Sequence, residues 1–277
     1  MREAERGETV RRIAREADPD RSLSALFAPR EAQADLFALY AFNAELSRVA
    51  ELASEPGLGT IRLQWWREAV EHAASGESVG HPVADAFGAT VARCKLSRDR
   101  VSGLIDARTF DVEAKIMSDM AALDAYLSDT ACAMFALAAE MLGSKDQSLA
   151  LAARPAGKAY GLTGLMRALP VHAARGLVFL PADVLRRHGT SPEEVLGGMR
   201  SQGLETTLAD LRATAREELR EAKAQIATLD VPVRAAFIPL SLVNPYLASL
   251  AKVGRDPLRE IADINPLYRL WRLARWR

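Results

Sequence analysis

The sequence has no excess of charge of either sign, because 36 Lys and Arg residues balance 36 Asp and Glu residues. Nucleic-acid-binding proteins concentrate positive charge, so the composition excludes an overall attraction to nucleic acid. Cysteine is scarce, and Cys94 and Cys132 lie far apart within apolar helical patterns. We therefore expect buried thiols in a reducing compartment rather than a disulfide, with Cys132 in the core.

Long apolar runs are missing as well. No run approaches the roughly 18 residues that a membrane span requires. The first 20 residues, MREAERGETVRRIAREADPD, are rich in charge and include four Glu residues. Secretory signals need an apolar centre and transit peptides are poor in acids, so neither is expected here. These absences predict a cytoplasmic protein, with peripheral contact at the inner face of the cell membrane left open.

Alternation of β-branched residues is nearly absent, and helical periodicity takes its place. Apolar residues recur three and four positions apart, as they do on the buried face of a helix. The predicted helices cover 30–52, 61–74, 82–94, 97–106, 119–142, 149–169 and 204–229, followed by a proline-kinked apolar segment over 233–253 and a last helix within 265–277. We find no linker-like segment, so we predict one all-α domain of roughly ten helices over residues 1–277.

The segment 157–181, GKAYGLTGLMRALPVHAARGLVFLP, resembles the second substrate-binding segment of the squalene/phytoene synthases. That family reads approximately A-x-Q-L-T-N-x-L-R-D-x-x-E-D-x-x-R-G-R-x-Y-L-P. The matching positions are Ala159, Leu162, Thr163, Arg167, Arg175, Gly176, Leu180 and Pro181. Ala168, Val171 and His172 stand where the family has Asp, Glu and Asp, so the frame is retained without its acids.

A second segment shows the same loss of acids. Residues 37–42, FALYAF, resemble the family's approach to its first Asp-rich motif, which continues F-C-R-x-x-D-D-x-x-D. Here the chain continues FNAELSRVAE over 42–51. Ser47 and Arg48 replace the two leading aspartates, and only Glu51 keeps a carboxylate.

The resemblance to the synthases implies an isoprenoid-synthase-type helical barrel with a central cavity. In that family, acid clusters hold Mg²⁺, which stabilises the diphosphate that leaves during prenyl transfer. Ala168 offers no ligand, His172 is a poor ligand for Mg²⁺, and Arg48 adds a positive charge. We therefore expect a synthase-like protein that does not catalyse prenyl transfer and has no catalytic residue, metal or cofactor.

Two other functions remain open at this point. One is a prenyltransferase with an altered Mg²⁺ site, whose ligands would come from Glu45, Glu51, Asp111 or His172. The other is a carrier that holds an isoprenoid or quinone in the cavity without reacting with it.

Shorter segments point to one branch of the family. Residues 40–46 (YAFNAEL), 62–67 (RLQWWR) and 81–84 (HPVA) resemble the branch of mitochondrial complex I assembly factor 6, as do 157–159, 165–168 and 178–181. That branch has the synthase-like fold without the usual Asp-rich pairs and helps to assemble the membrane-side NADH dehydrogenase. The resemblance implies an analogous role, with a subunit of a membrane respiratory complex as partner and an isoprenoid or lipid as a further ligand.

The candidate ligand pocket takes its residues from the positions that align with the family's motifs, whether or not the residue itself is retained. They are Tyr40, Phe42, Asn43, Ser47, Arg48, Glu51, Tyr126, Gly164, Arg167, Ala168, His172 and Arg175. Structural interpretations stay open beside this one: a helical ion pair between Arg48 and Glu51, and salt bridges from Arg167 and Arg175 to neighbouring helices. Of Trp65 and Trp66, we expect one in the core and the other at a cavity or partner surface.

The end of the chain mixes arginine with tryptophan. Its candidate membrane or partner surface consists of Arg269, Trp271, Arg272, Arg275 and Trp276. A helix with this composition can lie on an anionic membrane. The alternative is a helix that docks its Leu and Trp residues on the protein.

Overall fold

The computed structural model describes residues 3–52, 56–113, 115–144 and 148–276. Within these ranges every regular element is helical, apart from one parallel β-bridge between Ile116 and Val178. The α-helices are α1 Glu3–Ala17, α2 Pro19–Ala25, α3 Arg30–Leu52, α4 Pro56–Ala74, α5 Pro82–Cys94, α6 Arg98–Asp106, α7 Thr109–Val112, α8 Met120–Leu127, α9 Ala133–Met141, α10 Ser148–Arg167, α11 Leu169–Ala174, α12 Ala182–Arg187, α13 Pro192–Leu196, α14 Gln202–Ile226, α15 Val231–Arg234, α16 Val243–Leu250 and α17 Pro266–Ala274. The all-α prediction is confirmed.

Side-chain caps fix the starts of several helices. Ser97 Oγ accepts the Arg100 amide at 3.3 Å before α6, and Ser191 Oγ accepts the Glu194 amide at 3.3 Å before α13. Each hydroxyl satisfies an amide that has no carbonyl partner in the first turn. Pro192 occupies the first position of α13, where its missing N–H costs no hydrogen bond.

Two of the long predicted helices are interrupted. The 119–142 helix is split into α8 and α9 by a π-helical turn at Ser128–Cys132. The 149–169 helix ends at Arg167, and Pro170 lies in the first turn of α11 instead of closing α10. Proline is well accommodated in a first turn, so it starts a new helix here. At the π-helical turn α10 passes so closely that a Cβ on Gly157 would overlap the Cys132 backbone, and only glycine fits.

The chain divides into two compact units. The first comprises Met1–Glu113, Ala133–Leu149 and Thr228–Pro239, and the second comprises Ala114–Cys132, Ala150–Ala227 and Leu240–Arg277. The core of the first unit is aromatic: Phe42 stacks on Phe87 at 4.2 Å and meets Trp66 edge-on at 5.6 Å. In the second unit, Lys158 Nζ pairs with Asp124 at 2.6 Å and with Glu218 at 3.4 Å, which ties α10 to α8 and α14. The single-domain organisation stays a prediction.

One segment differs from the prediction about membrane spans. Val231–Leu250 is long and apolar enough to cross a membrane by length and composition, although it contains the kinking prolines. Its most apolar window is 72% buried inside the protein, as in a core helix. Cys94 and Cys132 are both free thiols, with Cys132 buried and Cys94 half-buried. The reducing compartment stays a prediction.

Candidate functional site

The first motif segment lies on α3, in the first unit. Tyr40 and Phe42 are buried, and burial raises the pKa of the Tyr40 phenol well above its usual value, so this hydroxyl stays protonated. Ser47 donates its hydroxyl to the Asn43 carbonyl oxygen at 2.9 Å, one turn earlier on the same helix. The Ser47 hydroxyl, which replaces an aspartate of the family motif, therefore bonds to its own helix.

Two arginines form ion pairs with acids around this segment. Arg108 donates to Asn43 Oδ1 at 2.8 Å and pairs with Asp111 at 3.1 Å, with each of the two charged side chains only 11% exposed. Arg48 pairs with Glu45 at 3.3 Å, one turn back, while Glu51 is exposed. The sequence interpretation paired Arg48 with Glu51. The structure shows Glu45 as its partner, at the same three-residue spacing in the opposite direction.

The second motif segment lies in the second unit and ties its helices together through Arg167. The Arg167 guanidinium stacks 3.5 Å from the centre of the Tyr246 ring, and Nε donates to the Ala262 carbonyl at 2.9 Å. A longer contact of 3.8 Å joins it to Asp263. These contacts agree with the structural alternative from the sequence, in which Arg167 joins its helix to neighbouring segments rather than binding a ligand. Arg175 is exposed beyond the end of α11.

The remaining candidates of the second unit surround the break between α10 and α11. Ala168 is the residue at the break, and His172 lies one turn further on. The rings of His172 and Tyr126 both pack against Phe179, at 4.7 Å and 5.1 Å between ring centres. Gly164, one turn before Ala168, faces open space: outside its own helix backbone and chain neighbours, no atom lies within 4 Å of where a Cβ would stand. The pocket role of these residues stays a prediction.

The donor set does not suit Mg²⁺. This ion prefers several oxygen ligands in octahedral geometry. The motif positions offer Ser47, Arg48, Ala168, His172 and a single carboxylate, Glu51. Two of the acids proposed for an altered site, Glu45 and Asp111, are paired with arginine. In the described ranges, no three His, Cys, Asp or Glu side chains are grouped so that they could hold a metal ion. These residues therefore do not fit the Mg²⁺ site of the family.

The terminal helix α17 turns its arginines inward. Arg269 donates to the Tyr246 hydroxyl at 3.2 Å and to Asp263 at 2.7 Å, and Arg272 donates twice to the Ser241 carbonyl at 3.1 Å and 2.9 Å. The exposed face consists of Leu267, Tyr268, Leu270 and Trp271, with Arg275 stacked 5.0 Å over Trp271. Trp276 is half-buried and lies 5.9 Å from Lys223. The predicted surface thus presents mainly apolar side chains. Arg269 and Arg272 do not contribute to it, because Asp263 and the Ser241 carbonyl bind them.

Arg108 was not identified from the sequence, although this residue contacts both Asn43 and Asp111, which were identified. It lies 65 residues from Asn43, so spacing along the chain could not reveal the contact. The available signal was local: Arg108 precedes Asp111 by three residues, which is the spacing of a helical ion pair.

Comparison with known proteins identifies the family of this chain. The sequence model of the squalene/phytoene synthase family matches residues 14–276. Human NADH dehydrogenase (ubiquinone) complex I, assembly factor 6 is 30% identical over 260 residues, covering 92% of this chain and 78% of the relative. The phytoene synthase of Thermus thermophilus is 26% identical over 247 residues, covering 88% of this chain and 82% of the synthase.

Solved structures share the fold. A squalene synthase from Alicyclobacillus acidocaldarius has a TM-score of 0.78 and 20% identity, covering 92% of this chain and 95% of its own. A dehydrosqualene synthase in complex with ligand has a TM-score of 0.83 and 15% identity, covering 98% of this chain and 94% of its own. These likenesses confirm the isoprenoid-synthase-type fold class. With the family match extending over 14–276, the chain belongs to the squalene/phytoene synthase family.

Proposed function

We propose that this protein is a non-catalytic assembly factor for a complex I-type NADH dehydrogenase. The proposal rests mainly on the loss or pairing of the acids around the first motif. The acids Glu45 and Asp111 are neutralised by Arg48 and Arg108, and the leading motif positions carry no carboxylate. Relatives named as complex I assembly factor 6, at 30% identity over most of the chain, support the assembly role.

The prenyltransferase alternative has less support. It requires a metal site from Glu45, Glu51, Asp111 or His172, and the first and third of these are held in ion pairs at 3.3 Å and 3.1 Å. A ligand role for an isoprenoid or lipid stays a prediction, and such binding would not depend on these carboxylates.

Deleting the gene in the native host tests the assembly role. We expect the membranes of the deletion strain to lose assembled NADH:quinone oxidoreductase, measured by native gel electrophoresis and by NADH oxidation, while other respiratory complexes are unchanged. Expression of the full chain from a plasmid restores the complex. A deletion strain with a normal amount of the assembled complex would show that the assembly role is wrong.

We also propose that α17 places the protein at the inner face of the cell membrane. Leu267 is 76% exposed and Trp271 49% exposed, and tryptophan and tyrosine are favoured at the interface of a bilayer. Arg275 lies over the exposed Trp271 ring at 5.0 Å, and the sequence from Asn265 to Arg275 contains no acid, which suits anionic headgroups.

Sedimentation with vesicles tests this membrane contact. We expect the purified chain to sediment with vesicles that contain phosphatidylglycerol and to remain in solution with pure phosphatidylcholine vesicles. The substitution Trp271→Glu should abolish sedimentation. Leu151→Glu is the matched control, because Leu151 is 61% exposed on another helix. Equal sedimentation of both variants would exclude α17 as the contact.

A further inference from the structure

An open groove lies between α3, α4 and the start of α5, in the first unit. It has a volume of about 610 Å³ and is lined by Glu45, Val49, Leu52, Leu58, Ile61, Arg62, Trp65, Trp66 and His81. Along α3, the lining residues 45, 49 and 52 repeat every three or four positions, and along α4 the residues 58, 61 and 65 do the same. Each helix therefore contributes one continuous stripe, and the groove runs between two helical ridges.

The floor of the groove is aromatic. Trp66 is 3% exposed and contacts the Trp65 and His81 rings edge-on, each at 5.0 Å between ring centres. His81 also caps α5, because its Nδ1 accepts the Ala84 amide at 3.4 Å. Burial lowers the pKa of His81, against the opposing effect of nearby Glu45 and Asp85, so the ring is neutral at pH 7 and can accept this bond.

The walls of the groove, in contrast, are open to solvent. On α4, Ile61 is 68% exposed and Trp65 40% exposed, and on α3, Leu52 is 53% exposed. A pocket for a small molecule encloses most of its ligand. Apolar side chains that stand in water on both sides of a groove instead suit the surface of a larger partner.

In the part of the chain that the structure describes, the groove lining contains one arginine without an ion-pair partner and one glutamate that is already paired. Arg62 is exposed and forms no ion pair with any residue that the structure describes. Glu45 is already neutralised by Arg48, whose side chain is 50% exposed. An occupant with a carboxylate beside its apolar stripe would therefore meet Arg62, while the acid of the lining, Glu45, is already paired.

The sequence segments that resemble the assembly-factor branch meet in this groove. Glu45 comes from 40–46, Arg62, Trp65 and Trp66 come from 62–67, and His81 comes from 81–84. These segments are separate in sequence. They lie on three different helices or their caps and contribute side chains to one surface.

We propose that this groove binds an amphipathic helix of a partner protein. The helix carries apolar residues at a spacing of three and four, which pack between the stripes of α3 and α4, and a carboxylate that pairs with Arg62. Trp65, the exposed tryptophan of the lining, is the anchor of the interface. The identification of the partner as a subunit under assembly rests on the proposed function, whereas the helix-binding role of the groove does not.

Photocrosslinking in the native host tests the groove. The photoreactive residue p-benzoylphenylalanine is placed in the full chain at position 61, or at position 151 as a control of similar exposure. We expect position 61 to crosslink to a peptide with an apolar helical stripe and an acidic residue, and position 151 not to reach that peptide. Crosslinks only to lipid or only to a second copy of this chain would overturn the proposal.

Two substitutions give a second measurement of the same interface. Trp65→Glu is expected to weaken binding of a synthetic peptide of the crosslinked segment at least about thirtyfold, as loss of an aromatic anchor does. Ile61→Glu should weaken it as well, without risk to the fold, because Ile61 is 68% exposed. Unchanged affinity in the Ile61→Glu variant, with a native thermal midpoint, would refute the groove.

The outcomes separate this proposal from the proposed function. If deletion of the gene leaves the NADH dehydrogenase intact while position 61 still crosslinks to an acidic amphipathic helix, the assembly role fails and the groove stands. If deletion impairs assembly but the Ile61→Glu and Trp65→Glu variants restore it fully, the assembly role stands and the groove fails.

Discussion

We expect the substitution Arg108→Met to lower the free energy of unfolding by about 3–5 kcal/mol, the range for breaking a buried ion pair by removing one partner. The side chains of Arg108 and Asp111 are each 11% exposed, so Asp111 would keep a charge that little water can reach. Asn43 would lose its donor at 2.8 Å as well. Chemical denaturation followed by circular dichroism measures the change.

Two controls separate the ion pair from the loss of a large side chain. Arg48→Met breaks the exposed pair with Glu45 and should cost less than about 1 kcal/mol, because solvent screens that interaction. The double substitution Arg108→Met with Asp111→Leu removes both buried charges and should recover most of the loss. If Arg108→Met and Arg48→Met destabilise the protein equally, the buried pair does not hold this region.

The sequence was sufficient for elements whose ends carry a local chemical signal. The bounds of α3 and α5 were predicted to the residue, and Ser97 was identified as the cap of α6. Periodicity and capping act within one or two turns, so a single sequence contains them. The π-helical turn at Ser128–Cys132 was missed because it lies in an Ala-rich stretch without proline or glycine.

The site was predicted less completely, because its contacts join distant parts of the chain. The loss of acids at 47, 48, 168 and 172 was visible in the sequence, since it needs only an alignment to the family pattern. The hydrogen bond from Arg108 to Asn43 was not visible, because the two residues lie 65 positions apart. The pairs of Arg48 with Glu45 and of Arg108 with Asp111 did have a local signal, their three-residue spacing. The inward direction of Arg269 and Arg272 depends on Asp263, Tyr246 and the Ser241 carbonyl, which composition does not reveal.

We further expect no catalysis of prenyl transfer. Removing one group that stabilises developing charge in a transition state commonly costs about 2.7–4 kcal/mol, or about 10² to 10³ in rate. Here Ser47, Arg48, Ala168 and His172 occupy four acidic positions of the family. Arg48 also repels a divalent cation, so several such losses combine. The expected effect is therefore far larger than that of any single substitution discussed above.

The decisive measurement is the release of diphosphate from farnesyl diphosphate in the presence of Mg²⁺ and the purified chain. A catalytically competent synthase of the same family, assayed in parallel, confirms that the substrate and metal are active. We predict that this protein releases diphosphate no faster than the protein-free solution does. Release that depends on Mg²⁺ and is abolished by Glu51→Ala would contradict the claim that this protein keeps the family fold without a functional Mg²⁺ site.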